Sequence, residues 1–363
     1  MERDRNNYYF IIPYGFGDAM FCCSFYECLK TKFQAEIVYV IKPQHEILMW
    51  MYEIERYEIQ TFSEDELREI AELNAEPQKG KYYVAHPHYG NKKRIEEDFL
   101  NFKISFVEMF KRFWGIKDEK LIVSPKRWPL LSESLKAKIN GADLEKVILI
   151  APEMNSASQT EKIPYEWYLR LISQYEEEGH TVVINANKDT QIFERNYISL
   201  EIHELIALAI NAKKVITSRS GFSDIVYAKV KSMDIIYPNM AFYRMYKMAD
   251  VFEVKNNNVH EKIVSFSKIL ELLNIKSVAI YGFGQVGHRL LYSLQSEGIQ
   301  VDYVIDKRII KDYTYYDLND RLPKTDIVII SILDNNNLIK TKLKEKGLSG
   351  VYLSELMEKY NKL

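Results

Sequence analysis

The stretch Tyr8-Tyr9-Phe10-Ile11-Ile12-Pro13-Tyr14-Gly15-Phe16-Gly17-Asp18 decides the fold. A short apolar run bounded by turn residues reads as a buried strand of a parallel sheet. Gly15 and Gly17 let the chain turn sharply and leave room for a ligand beside the backbone. Asp18 then stands at the N-cap or in the first turn of a helix over 19–33. That position faces the crevice where open α/β sheets bind ligands. On this stretch alone Asp18 has two readings, a helix cap or a carboxylate serving the cleft.

Strand-like runs alternate with helical patterns along the whole chain, which predicts an α/β protein of parallel sheets flanked by helices. At 363 residues the chain is long for one core, so two or three domains are expected. A first Rossmann-like unit (1–140) carries strands at 8–13, 37–41 and 82–85 and helices at 19–33 and 95–114. A charged stretch with two prolines, 117–129, leads into a second unit (141–274). Its strands fall at 147–151, 181–185, 214–217 and 233–237, and a helix at 259–273 closes it. A third, smaller unit (275–363) opens with a strand at 277–281. The first two units leave a cleft between facing strand ends, a place to hold a nucleotide-linked donor against an acceptor.

Forty-nine basic against fifty-one acidic residues give a formal charge of −2, so no basic excess advertises nucleic acid. No run of about 18 apolar residues is long enough to span a membrane. The charged N-terminus is followed by no apolar segment of a secretory leader. Cys22, Cys23 and Cys28 fall in one predicted helix, odd in number and without Cys-x-x-Cys spacing. Reduced, buried thiols are expected there rather than disulfides or a metal site. The expectation is a cytoplasmic protein, with peripheral contact at the inner membrane face and oligomerisation left open.

Two further stretches repeat the strand–turn–helix pattern. After the strand at 147–151, a loop offers Ser156 and Ser158, then Lys162-Ile163-Pro164 before a helix. Small polar residues and one cation there suit an anion. Lys214-Val215-Ile216-Thr217-Ser218-Arg219-Ser220-Gly221-Phe222-Ser223-Asp224 follows. Backbone amides from Ser220 onward, backed by a helix dipole, could form a diphosphate site without a metal. Arg219 adds a guanidinium fork. The alternative is an ordinary capped helix with Ser223 or Asp224 as the cap. On the first unit, His86, His88, Lys92, Lys93 and Arg94 follow a strand and are expected to receive an anionic acceptor. Phe99, Phe102, Phe106, Phe110 and Phe113 recur at helical spacing and read as core.

Together these stretches resemble the heptosyltransferase-type glycosyltransferases of GT-B architecture, over roughly residues 8–273. The Gly17-Asp18 pair, Lys162-Ile163-Pro164 and Ser220-Gly221 carry the resemblance. It implies that Asp18 is the general base of an inverting sugar transfer. Ser156, Ser158, Lys162, Ser218, Arg219, Ser220 and Gly221 would hold the donor's diphosphate, with no metal cofactor. The donor would be a nucleotide sugar and the acceptor a glycan or lipid-linked saccharide of a bacterial-type surface polysaccharide. The family usually has an Asp before Ser-Gly and a His near the helix start. Here Arg219 and Asp224 stand there, so its sugar contacts are not carried over.

In the third unit Gly282, Gly284 and Gly287 form Gly-x-Gly-x-x-Gly after a strand, and Asp306 ends the next strand. That is the context of a dinucleotide fingerprint. The unit reads as about half of a full dinucleotide fold, appended and separable near residue 275. It either binds a nucleotide or is structural. An NAD(P)-dependent oxidoreductase or epimerase is the alternative function, though no Tyr-x-x-x-Lys set accompanies the glycines. A non-catalytic nucleotide-sugar-binding protein is the third.

Overall fold

The computed structural model describes residues 4–356 apart from 90–91, 117–120, 122–123, 154–161, 164, 187–196, 254, 309–312 and 334–336. Among these residues three parallel sheets form, each crossed by helices, in an α/β architecture. The first unit contains β1 (Tyr8–Ile11), α1 (Phe16–Ser24), α2 (Tyr26–Phe33), β2 (Ile37–Ile41), α3 (Glu46–Tyr52) and β3 (Tyr57–Ile59). It continues with α4 (Glu64–Leu73), β4 (Tyr82–Val84), α5 (Lys93–Leu100), α6 (Phe106–Trp114) and α7 (Glu133–Lys138). Its strand order is β3-β2-β1-β4.

The second unit runs β5 (Val147–Ala151), α8 (Tyr165–Glu177), β6 (Thr181–Ile184), α9 (Ile202–Asn211), β7 (Lys214–Ser218), α10 (Gly221–Val226) and β8 (Met233–Tyr237). Then come α11 (Met240–Tyr246), α12 (Met248–Phe252), β9 (Val259–Ile263) and α13 (Phe266–Leu272). Its order is β6-β5-β7-β8-β9. The third has β10 (Val278–Tyr281), α14 (Gln285–Ser296), β11 (Val301–Ile305), β12 (Tyr315–Tyr316), β13 (Ile327–Ile330), α15 (Leu338–Glu345) and β14 (Gly350–Tyr352). Its order is β12-β11-β10-β13-β14.

Central strands such as β5 are buried at every residue, because helices cover both faces of a parallel sheet. One apolar core joins the first two units. Phe21 of α1 stacks on Phe110 of α6 and on Phe252 of α12, with ring centroids 5.8 and 5.7 Å apart. A second core is shared by the second and third units, including Phe266, Ile269 and Leu270 with Leu290, Leu291 and Leu294.

Several expected elements differ. The helix over 19–33 is two helices meeting at Phe25, and the one over 95–114 is α5 and α6. Between them Phe102 takes φ +58° and stacks on Tyr292 of α14 at 4.2 Å, while the other four phenylalanines of the stripe are buried core. The expected helix at 259–273 is β9 followed by α13, because Ser265 caps a new helix by accepting from the Lys268 amide. Helix α12 packs back onto the first unit through Phe252. The third unit is more than half of a dinucleotide fold. Its five parallel strands follow the order 3-2-1-4-5 of that fold.

Candidate functional site

The two glycines of the opening stretch do different work. Gly15 caps α1 with extended backbone (φ −85°, ψ −172°), and a Cβ added there would meet nothing within 4 Å. Gly17 is packed, since an added Cβ would lie 2.8 Å from Asp224 Oδ2 and 3.4 Å from Gly221 Cα. Gly221 reciprocates, and its Cβ would run into the Gly17 nitrogen. The leading ends of α1 and α10 therefore abut, and only glycine at both positions lets the two units approach so closely.

Beside this junction lies a cleft of about 650 Å³. From the first unit Tyr14, Gly15, Gly17, Asp18, Lys42, Gln44 and His45 border it. From the second come Glu153, Asn185, Arg219, Gly221, Asp224, Phe242 and Tyr246.

Asp18 sits in the first turn of α1, which Gly15 caps, so it is not the cap itself. Its side chain is 25% exposed, opening on the cleft. Burial, and then the charge of Asp224, push its carboxyl up to about 7, against the pull of backbone N–H groups and Arg219. His86 Nε2 lies 3.8 Å from Asp18 Oδ1. Burial holds this imidazole down at about 3, so it is neutral. Its Nδ1 accepts from the His88 amide at 3.1 Å, which puts the ring proton on Nε2, toward Asp18.

Arg219 and Asp224 are both buried and face each other, Nη2 to Oδ1 at 2.7 Å and Nη1 to Oδ2 at 3.0 Å. Arg219 also donates to the carbonyls of Tyr246 and Ser220, each at 3.0 Å. Burial raises the Asp224 carboxyl to about 6, with Arg219 opposing.

Of the expected donor wall, Arg219, Ser220 and Gly221 border the cleft. There the Arg219 guanidinium pairs with Asp224 and two carbonyls. Ser218 is sealed, its hydroxyl engaged by Tyr168 and by the Pro152 carbonyl, each at 2.7 Å. The Ser220 amide donates to Ser223 Oγ at 3.0 Å, and Gly221 packs on Gly17. Lys162 is half-buried at a bend before α8 and does not border the cleft. Ser156 and Ser158 lie outside the described residues.

The acceptor cluster is divided as well. His86 joins Asp18, but Lys92 donates to Glu76 and to the Phe113 carbonyl, both at 3.3 Å. Lys93 borders a different cavity of about 620 Å³, with Arg68, His88 and Tyr89. Arg94 is exposed on α5. Gly282, Gly284, Gly287 and Asp306 gather at the strand ends of the third sheet, and none borders the cleft.

The sequence reading missed Lys42, Gln44, His45, Glu153 and Asn185. Each stands just past the carboxyl end of β2, β5 or β6, where such sheets bind ligands, so the signal was present. Among the described residues no three His, Cys, Asp or Glu side chains group as a metal site. Cys22, Cys23 and Cys28 are buried.

One prediction follows from the buried pair. Arg219→Ala would strand the Asp224 carboxylate and is expected to cost about 3–5 kcal/mol in urea unfolding. Adding Asp224→Asn should recover much of that loss. A fully stable Arg219→Ala chain would show that the pair contributes nothing to the fold.

No family model matches this chain, and no curated protein matches it. Solved structures do. The chain is similar to a family 9 glycosyltransferase from Veillonella parvula, with 14% identity and a TM-score of 0.48 over 82% of this chain and 98% of that one. It is similar to the ADP-heptose LPS heptosyltransferase II of E. coli, with 16% identity and a TM-score of 0.43 over 73% and 97%. TibC, an iron-containing dodecameric glycosyltransferase from enterotoxigenic E. coli, gives 15% identity and a TM-score of 0.45 over 67% and 62%.

Proposed function

We propose that the protein is an inverting glycosyltransferase. It moves a sugar from a nucleotide-sugar donor to a hydroxyl of a glycan or lipid-linked saccharide in surface-polysaccharide synthesis, in the cytoplasm or at the inner membrane face. One observation carries this reading. A carboxyl held near 7 opens on the cleft at the seam of two Rossmann-like units, with the N–H of a neutral imidazole beside it.

In this reaction Asp18 takes the proton of the acceptor hydroxyl. The oxygen attacks the anomeric carbon from the face opposite the leaving group, and the bond to the nucleoside diphosphate breaks with its electron pair. One displacement inverts the anomeric centre and leaves the proton on Asp18. A base poised near the working pH combines an ionised fraction with proton affinity. His86 is a positioning residue that keeps the carboxylate turned to the cleft. Lys42 supplies a cleft cation toward the departing diphosphate.

The test is a panel of nucleotide sugars incubated with and without EDTA. Release of nucleoside diphosphate and a product of inverted anomeric configuration are expected, unaffected by the chelator. A retained anomer would overturn the single displacement, and an absolute metal requirement would overturn the protein-only account of the leaving group.

A further inference from the structure

The three glycines after β10 differ in what holds them. Gly282 takes φ +88°, and an added Cβ would lie 2.5 Å from Ile332 Cγ2, so the tight turn itself requires glycine. Gly287 sits where an added Cβ would collide with the Gly282 carbonyl, so the close approach of α14 to the turn requires glycine. Gly284 is under neither demand. Its backbone is extended (φ −76°, ψ −165°), and a Cβ there would meet nothing within 4 Å. Among the described residues, no packing contact requires glycine at that point.

Two independent features share the same place. In the strand order β12-β11-β10-β13-β14, connections leave β10 to opposite sides, and the crevice at such a switch point is where open α/β sheets take ligands. Asp306 follows β11 beside the turn, accepting from the Phe283 amide at 2.6 Å and from Arg308 at 3.1 Å. Those donors hold its carboxyl down at about 2, so it is ionised at any working pH. A carboxylate there accepts from ribose hydroxyls.

We propose that the third unit is a second nucleotide site, separate from the cleft. It takes a nucleoside diphosphate with free ribose hydroxyls, alone or as half of a dinucleotide. The diphosphate lies over Gly284 at the N-terminus of α14, and Asp306 receives the ribose diol. Helix α14 also packs on α11, which carries Phe242 and Tyr246 into the cleft. The site requires no sugar transfer and stands or falls independently of the function proposed above.

The test is calorimetric titration of the full chain with ADP, UDP, NAD⁺ and NADP⁺. Because Gly284 has open space around it, Gly284→Val should fold, with at most the small drop in melting temperature of a poorer helix cap. It should lose a nucleotide site that Gly15→Val, which narrows only the cleft, retains. Asp306→Ala should weaken the same site at least tenfold. Gly287→Val serves as the contrast and should lower the melting temperature. Binding that persists in full in folded Gly284→Val would overturn the proposal, as would no binding of any of these nucleotides to the wild-type chain.

Discussion

Asp18→Asn is expected to lower turnover by about 10²–10⁴, the range over which a general base contributes. Asparagine keeps the size of the carboxyl and one acceptor oxygen but cannot take a proton, so folding and nucleotide binding should survive. The wild-type rate should rise with pH through about 7 and then level off, because the base must be ionised. The variant's residual rate should lack that limb. Stability should move the other way. Asp18 and Asp224 both titrate higher in the folded chain than their ordinary 3.8. The folded chain therefore holds more protons between about pH 4 and 7, and its stability falls as pH rises through that window. Asp18→Asn removes one of these groups and should melt above wild type at pH 8, with the gap closing toward pH 4. A variant that turned over normally would leave Asp18 a residue of the helix's first turn and nothing more.

Removing the third unit is expected to be equally severe. A chain ending at Ile275 would uncover Phe266, Ile269 and Leu270, which share a core with Leu290, Leu291 and Leu294 of α14. Each apolar side chain returned to water costs about 1.5–3 kcal/mol. A few of them rival the roughly 5–15 kcal/mol that holds a whole domain folded. Polar ties would go too. Ser293 Oγ accepts from the Ala241 amide at 3.0 Å and donates to Asn239 Oδ1 at 3.2 Å, and Tyr292 would leave Phe102. The truncated chain should aggregate or melt without cooperativity in size-exclusion and circular-dichroism measurements. A soluble monomer with a cooperative melt near that of wild type would show that the third unit is separable after all. Separability was the expectation from sequence, because the linker near 275 reads as a boundary. The apolar face of α13 alone does not say which neighbour covers it.

What was legible in the sequence was local. Strands β2, β5 and β8 are apolar runs covered on both faces, and they stand where the pattern puts them. Strands β3, β12 and β14 are two or three residues long and lie at sheet edges. A half-covered edge needs no apolar run, so none announced them. Val259-His260-Glu261-Lys262-Ile263 alternates as an edge strand does, yet joined to the helical residues after Ser265 it read as one helix. At the site, the Gly-Asp turn was readable because cap, turn and carboxylate are adjacent in the chain. The Arg219–Asp224 pair was not, because two cleft residues of opposite charge satisfy each other only once the helix has formed. The sequence shows Gly15 and Gly17 as two equivalent glycines. Only the arrival of Gly221 and Asp224 from the other unit separates the packed one from the open one.

The most direct measurement is nucleoside diphosphate release from a panel of nucleotide sugars, followed from pH 5 to 9 for wild type and Asp18→Asn side by side. The account predicts release from at least one donor by the wild-type chain, rising through about pH 7, and a loss of about 10²–10⁴ in the variant without that pH dependence. Equal release by both chains at every pH would contradict it, as would a folded wild-type chain that turns over no nucleotide sugar at all.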